Sequence, residues 1–245
     1  LPSQGPVKTQ VLGMTTPDSE AQASRVQEFM NYQLMQVMKE YDPETDQMLF
    51  YLPLSGSAFR KIYYDQNMGR AVSKFIPSED LIVPYAATDL HSATRITHVI
   101  NMSINDIKKL QQMGFYSDVK IDSGNMLAEE TDEIQEGIDE IQGISPSYND
   151  DDTCKVYEIH TELDIPGFED LNAQGEETGI KLPYIVTIAN DKVLSVRRNY
   201  REDDPLKQRI NYFVHYKFLP GLGFYGFGLT HMIGGLSKAS TSILR

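Results

Sequence analysis

Few side chains in this sequence are spaced for chemistry. The five histidines are His91, His98, His160, His215 and His231, and no two stand in an HxH, HxxH or HExxH relation. Glu158, His160 and Glu162 alternate, so a strand would carry all three on one face. They could serve there as metal ligands or as acid and base, although alternation alone also produces an ordinary solvated strand face. Asn149-Asp150-Asp151-Asp152 has the oxygens of a calcium loop but lacks its glycine and distal glutamate, and reads as a charged tip. Cys154 has only Lys155 beside it to favour a thiolate. Gly221-x-Gly223-x-x-Gly226 follows an apparent strand and precedes an apparent helix, as a dinucleotide fingerprint does. Phe224, Tyr225 and Phe227 crowd that turn, however, and no ribose-binding acid follows. These glycines read better as a sharp corner between aromatic anchors. The residues predict no catalysis, no cofactor and no required metal.

Charge is distributed unevenly. Between Asp122 and Glu177 there are 18 acids and one base, Lys155, whereas the rest of the chain holds 17 acids and 21 bases. The net charge of -13 is therefore the charge of one block, and the remainder is mildly basic. Arg60, Lys61, Arg70, Lys74, Arg197, Arg198, Arg201, Lys207 and Arg209 are scattered, so any contact they make with nucleic acid would be to phosphates and without sequence information. A single cysteine excludes an internal disulfide and fits a reducing compartment. No run approaches the roughly 20 apolar residues of a membrane span.

The elements that must position these residues follow from periodicity. Residues 1–17 read as an extended lead-in rich in Pro, Gly, Gln and Thr. Asp18 and Ser19 can cap a helix whose stripe is Val26, Phe29, Met30, Leu34, Val37, Met38 and Tyr41, a pattern expected to pack into a core. A second helix starts at Asp42-Pro43. It is apolar all round through Met48, Leu49, Phe50, Tyr51 and Leu52, and so is expected to be buried and closed by Ser55-Gly56-Ser57. Phe59–Tyr64 and Ala71–Ile76 form a hairpin, Asp80–Tyr85 a third strand and Arg95–Met102 a fourth. Ser103 caps a short helix ending at Gly114. Residues 122–153 are an acidic excursion, expected to be peripheral because its charge density resists burial. Cys154–Ile165 reads as a long alternating strand, with Tyr157, Ile159, Leu163 and Ile165 prominent. Leu182–Ala189 and Val193–Tyr200 make a hairpin about Asn190-Asp191. Helices followed by hairpins, rather than alternating βαβ, predict an α+β fold with the N-terminal helices packed on a mostly antiparallel sheet. The segments are 1–17, 18–121, 122–153, 154–228 and 229–245.

The last stretch has no carboxylate. Phe213–Leu219 reads as a strand, and Pro220 with Gly221, Gly223, Gly226 and Gly228 as a break. Leu229, Met232, Ile233, Leu236, Ser240, Ile243 and Leu244 fall on one helical stripe. The opposite side holds Gly234, Gly235, Ser237, Lys238, Thr241, Ser242 and Arg245, where the only charges are positive. The helical pattern runs to Arg245 and the chain opens on Leu1 rather than Met. Both features predict a segment of a longer protein.

Three stretches together resemble the N-terminal wing part of tailed-bacteriophage portal proteins of the short-tailed marine type. The first is Arg25-Val-Gln-Glu-Phe-Met-Asn-Tyr-Gln-Leu-Met35 with Gln47–Tyr64, similar to a buried helix, a small-residue break and the first wing strand. The second is Ser73-Lys-Phe-Ile-Pro-Ser-Glu-Asp-Leu-Ile-Val-Pro84, and the third is Phe218–Ser237, similar to the Gly-Tyr-Gly junction before the helix that leads to the stem. The resemblance implies a dodecameric ring in the virion, at one capsid vertex, assembled in the host cytoplasm. Double-stranded DNA would be packaged and ejected through its axis. The terminase large subunit, neck or adaptor proteins and capsid proteins would dock on it. It implies no enzyme, since the terminase would supply the energy. Gly221, Gly223, Tyr225, Gly226, Leu229, Met232, Ile233, Leu236, Ile243 and Leu244 would form the junction and subunit contact, with Lys238 and Arg245 nearer the DNA backbone. Stem, clip and crown are not found within these residues. The competing reading is a hydrolase-like enzyme domain using the Glu158/His160/Glu162 face.

Overall fold

The computed structural model describes residues 5–66, 68–121, 153–171 and 174–244. Most of the acidic excursion, 122–152, lies outside the described residues, and so does the expectation that it is peripheral. The fold is α+β, and the described residues form four α-helices and two antiparallel sheets. The described chain forms two compact units. The first comprises residues 1–79, 87–92 and 211–245, and the second 80–86 and 93–210. These units do not follow the segments 18–121 and 154–228, because the final strand pairs with the first.

In the first unit, α1 (Pro17–Tyr32) is capped by Thr16, not by Asp18 or Ser19. Thr16 and Ser19 close a reciprocal capping box, and Pro17 occupies the first turn. A π-helical turn, Gln33–Val37, ends it. Residues of the lead-in lie along one side of α1: Asn31 Oδ1 accepts from the Val7 amide at 2.9 Å, and Gln27 Oε1 accepts from the Thr9 amide at 3.1 Å. The expected core stripe is a correction. Val26, Phe29 and Met30 are exposed, and α1 contains no buried residue. Only Met38, beyond the turn, reaches the core.

Helix α2 (Tyr41–Ser55) does pack on the sheet, but it is not buried all round. Thr45 and Met48 are buried, while Leu49 and Phe50 face outward. Its hold on the sheet is largely polar. Arg60 of β1 (Ser57–Asp65) donates to Thr45 Oγ1 at 2.7 Å and lies 4.6 Å over the Tyr41 ring. Glu44 accepts the Phe75 amide of β2 (Arg70–Ile76) at 2.7 Å, and Glu40 pairs with Arg70 at 2.6 Å. That many polar anchors let α2 bind without an apolar face.

The second unit holds β3 (Leu81–Ile82), β4 (Arg95–Ser103), α3 (Ile104–Gln112), β5 (Thr153–Leu163), β6 (Leu182–Ala189) and β7 (Lys192–Arg198), with the sheet in that strand order. The third strand expected over 80–85 shrinks to two residues. Ser103 caps α3 as expected, its Oγ accepting from the Asp106 amide. Asn190 (φ 46°) and Asp191 (φ 60°) make the two-residue turn with the left-handed backbone that their types tolerate. Ile107 and Tyr116 cover Val156, Ala189 and Leu194 on one face of the sheet. On the other face, Ile159, Val186 and Val196 lie side by side across three strands, as do Tyr157, Ile188 and Val193. Tyr157 and Ile159 are only half-buried, and Val193 and Val196 are exposed. The apolar side of β5 that its pattern singled out therefore looks outward, and its inward side is Cys154, Val156, Glu158 and His160.

The first unit is closed by β8 (Phe213–Lys217), which pairs antiparallel with β1 to give the order β2-β1-β8. The strand expected to reach Leu219 ends at Lys217. Helix α4 runs from Leu229 to Leu244.

Candidate interaction site at the glycine junction

The chain between β8 and α4 folds back on the end of α2. Gly56 closes α2 in a left-handed conformation, φ 86°, its amide donating to Leu52 O. The Gly56 carbonyl then accepts from the Phe218 amide at 3.0 Å. Leu219 and Phe227 exchange both backbone hydrogen bonds and pinch off the corner 220–226. Three glycines meet backbone to backbone at the base. A methyl on Gly228 would sit closer than 3.0 Å to Leu54 O and the Gly56 amide; one on Gly226 would lie 2.5 Å from Gly56 O. Gly221 is tight against Tyr225 O, at 2.8 Å, whereas Gly223 has open space. The α4 start is tied to the same place, because Thr230 Oγ1 donates to Leu54 O at 2.7 Å and His231 Nδ1 accepts from the Gly228 amide at 3.2 Å.

Ser57 is the hub of this junction. It is fully buried, and its Oγ accepts from the Gly226 amide at 2.8 Å and lies 3.1 Å from His215 Nε2. The His215 ring packs against Phe59 and Phe224, with centroids at 4.4 and 4.8 Å, and the two phenyl rings are themselves 5.9 Å apart, so the three form one cluster. A serine beside a neutral histidine is the raw material of a nucleophile and base. Here Ser57 Oγ accepts the Gly226 amide, its hydroxyl faces His215, and the serine is fully buried beneath the aromatic cluster, so the pair acts as a brace. The same bond takes the Gly226 amide away from any phosphate, against the dinucleotide reading of Gly221-x-Gly223-x-x-Gly226.

Burial first, and the Lys217 charge second, push the His215 pKa down to about 4 from 6.5. Its folded pKa is thus below its unfolded value. The stability it guards is fully present above pH 6.5 and is lost as pH falls towards 4, because the unfolded chain takes the proton first. After discounting for the solvent that reaches a half-buried ring, the expected loss is about 1–2 kcal/mol. Thermal unfolding at pH 7 and pH 4 measures it: His215→Gln should show a smaller acid-induced fall in Tm than the parent. An equal fall in both proteins would refute the assignment.

Beyond the junction, Met232, Ile233, Leu236, Ile243 and Leu244 are all exposed, Leu229 is half-buried, and α4 has no buried residue. Tyr225 lies edge-on to Phe224 at 5.0 Å. Lys238 is exposed, and Arg245 lies outside the described residues.

In the second unit, the Glu158/His160/Glu162 trio divides. His160 Nε2 is 2.7 Å from Glu158 Oε1, and both residues are buried, so their face of β5 is not the solvated one. Arg197 Nη2 approaches Glu158 Oε2 at 3.7 Å while its guanidinium lies 4.5 Å over the Phe115 ring. Glu162 stays exposed, in an open groove of about 490 Å³ with Pro84, Thr94, Arg95, Thr161 and Lys181. A carboxylate shared between an imidazole and a guanidinium is a charge-balancing cluster. Among the described residues no group of three or more His, Cys, Asp or Glu is placed to hold a metal ion. No described helix is long and apolar enough to cross a membrane. Cys154 is buried, and desolvation raises its pKa, away from thiolate reactivity.

Sequence reasoning located the corner glycines and missed Gly56, Ser57 and His215 as their partners. Gly56 and Ser57 lie far from the corner in sequence and leave no local signal, and His215, though close to it, becomes a partner only through Ser57. Arg197 and Phe115 were missed for the same reason. No protein-family model matches the chain, and no curated protein does.

Proposed function

We propose that this chain is the N-terminal wing part of a tailed-phage portal ring, a structural component through which double-stranded DNA is packaged and ejected. The observation that carries the reading is the junction: a glycine corner pinned to α2 and β1 sends out a helix whose apolar stripe is left uncovered. A helix fixed at its base and apolar along its length suits a subunit-to-subunit contact in the approach to a stem. Lys238, on the other side, suits a weak, salt-sensitive contact with phosphates. In this reading the ring is dodecameric and sits at the capsid vertex of the virion. Terminase large subunit, neck and capsid proteins dock on it, and catalysis belongs to the terminase.

Leu236 is 73% exposed, so Leu236→Asp is expected to leave the folded chain intact and to stop assembly of the full-length protein, read as particle mass by mass photometry. Lys238→Glu is expected to leave the ring intact and to weaken DNA packaging or retention alone. Normal assembly of Leu236→Asp, or loss of the ring in Lys238→Glu, would reverse the helix faces. A full-length protein that stays monomeric would overturn the reading.

A further inference from the structure

The groove at one end of the second unit's sheet is lined by side chains with no internal use. It lies where β4 begins, β5 ends and β6 begins, and Pro84, Thr94, Arg95, Thr161, Glu162 and Lys181 surround about 490 Å³. Every one of these residues belongs to the second unit. Arg95 stands opposite Thr161 in the β4–β5 register. The Thr94, Arg95, Thr161, Glu162 and Lys181 side chains make no hydrogen bond or ion pair with any described residue. Elsewhere in the unit Lys109 is paired with Asp106, Arg197 with Glu158, Arg198 with Glu202 and Lys207 with Asp170. The wall is held in place, because Arg209 donates to the Ala93 carbonyl at 2.6 Å, next to Thr94.

Two cations and two hydroxyls around one space suit an anion with several acceptor oxygens. A carboxylate would offset only one of the two charges. A phosphate monoester carries about −1.5 to −2 at pH 7 and has three acceptor oxygens, so it answers both Arg95 and Lys181. Glu162 must meet a different part of the ligand. It repels a phosphate but accepts from hydroxyls, as the acid beside a bound ribose does. Pro84 is the only apolar residue of the lining, so the ligand is hydrophilic throughout. The volume falls within the roughly 300–1,000 Å³ of small-molecule sites.

We propose that this groove binds a free sugar phosphate, with the phosphate on Arg95, Lys181 and the threonine hydroxyls, and the sugar hydroxyls on Glu162. Duplex DNA fits it poorly: each backbone phosphate is a diester with one charge, and the backbone sugars have no free hydroxyl for Glu162. The inference requires neither a ring nor a capsid, so it stands apart from the portal reading.

The test is isothermal titration calorimetry of the full-length protein with ribose 5-phosphate. Saturable binding is expected. Arg95→Gln and Lys181→Gln should each weaken it about tenfold, the loss of one charge-assisted hydrogen bond. Both side chains are exposed, and unchanged circular dichroism confirms that the variants fold. Glu162→Gln should bind inorganic phosphate more tightly and lose the wild type's preference for ribose 5-phosphate over inorganic phosphate. Lys238→Gln, in the first unit, should bind as wild type does. The proposal is overturned if wild type shows no saturable binding, if Arg95→Gln and Lys181→Gln bind normally, or if Lys238→Gln weakens binding equally. It is also overturned if Glu162→Gln keeps the preference, if a DNA duplex displaces ribose 5-phosphate, or if O-phosphoethanolamine, with an ammonium in place of hydroxyls, binds more tightly. A full-length protein that forms a ring but binds no sugar phosphate would defeat this inference and leave the portal reading standing.

Discussion

Replacing Gly228 by alanine is expected to lower stability by about 3 kcal/mol, near the top of the range for forcing an atom into filled space. The new methyl would lie closer than 3.0 Å to Leu54 O and the Gly56 amide. Both are backbone atoms held by their own hydrogen bonds, so neither can rotate aside. Relief requires separating the junction from the end of α2, which breaks the Thr230 to Leu54 bond as well. Thermal unfolding should show a fall of roughly 6–12 °C for a chain of this size. Gly234→Ala is the matched control. That glycine is helical with open space at its Cβ position, so alanine there should add about 0.5–1 kcal/mol. If the two substitutions behaved alike, the glycines would be serving flexibility rather than close approach.

The second large effect is expected at Glu158. Glu158→Ala removes a carboxylate that the buried His160 and the partly exposed Arg197 both meet, and with it the buried Glu158–His160 hydrogen bond. The expected cost is about 1–3 kcal/mol. Glu158→Gln keeps the shape and a hydrogen-bond acceptor and should cost less. Replacing Glu158 by leucine together with His160 by phenylalanine should recover most of the loss, because removing a buried pair costs far less than breaking one. Urea unfolding distinguishes the three. Equal destabilisation by the single and paired replacements would mean that shape, and not charge, is what the cluster supplies.

Local structure was largely legible in the sequence. The Ser103 cap, the Asn190-Asp191 turn, the first hairpin and the α4 boundary each depend on residues within a few positions of one another, and each forms where expected. What failed was the direction in which faces look. The Tyr157 and Ile159 side of β5 is the more apolar, yet it faces outward, since α3 and the segment to Tyr116 cover the other side. The stripe of α1 likewise has the period of a core helix, yet among the described residues nothing buries it. Periodicity specifies that a face exists; the topology decides what lies against it. The candidate site was legible in half: its glycines cluster in sequence, whereas Gly56 and Ser57, which pin them, come from the other end of the chain.

Because β1 and β8 pair Ser57 with Lys217, the first unit is completed only by residues made late in synthesis. Ribosomes add about 5–20 residues per second, so β1 waits roughly 8–30 s for its second neighbour. In that interval every strand of the second unit is delivered, and that unit can fold first. Meanwhile β1 offers an open edge to any other nascent chain. Arg60 and Lys61, at the centre of β1 and on the stretch that β8 will cover, put two adjacent positive charges on that edge. Positive charge discourages edge-to-edge pairing with a second copy. The same two residues that sit buried in the finished unit thus protect the unfinished one.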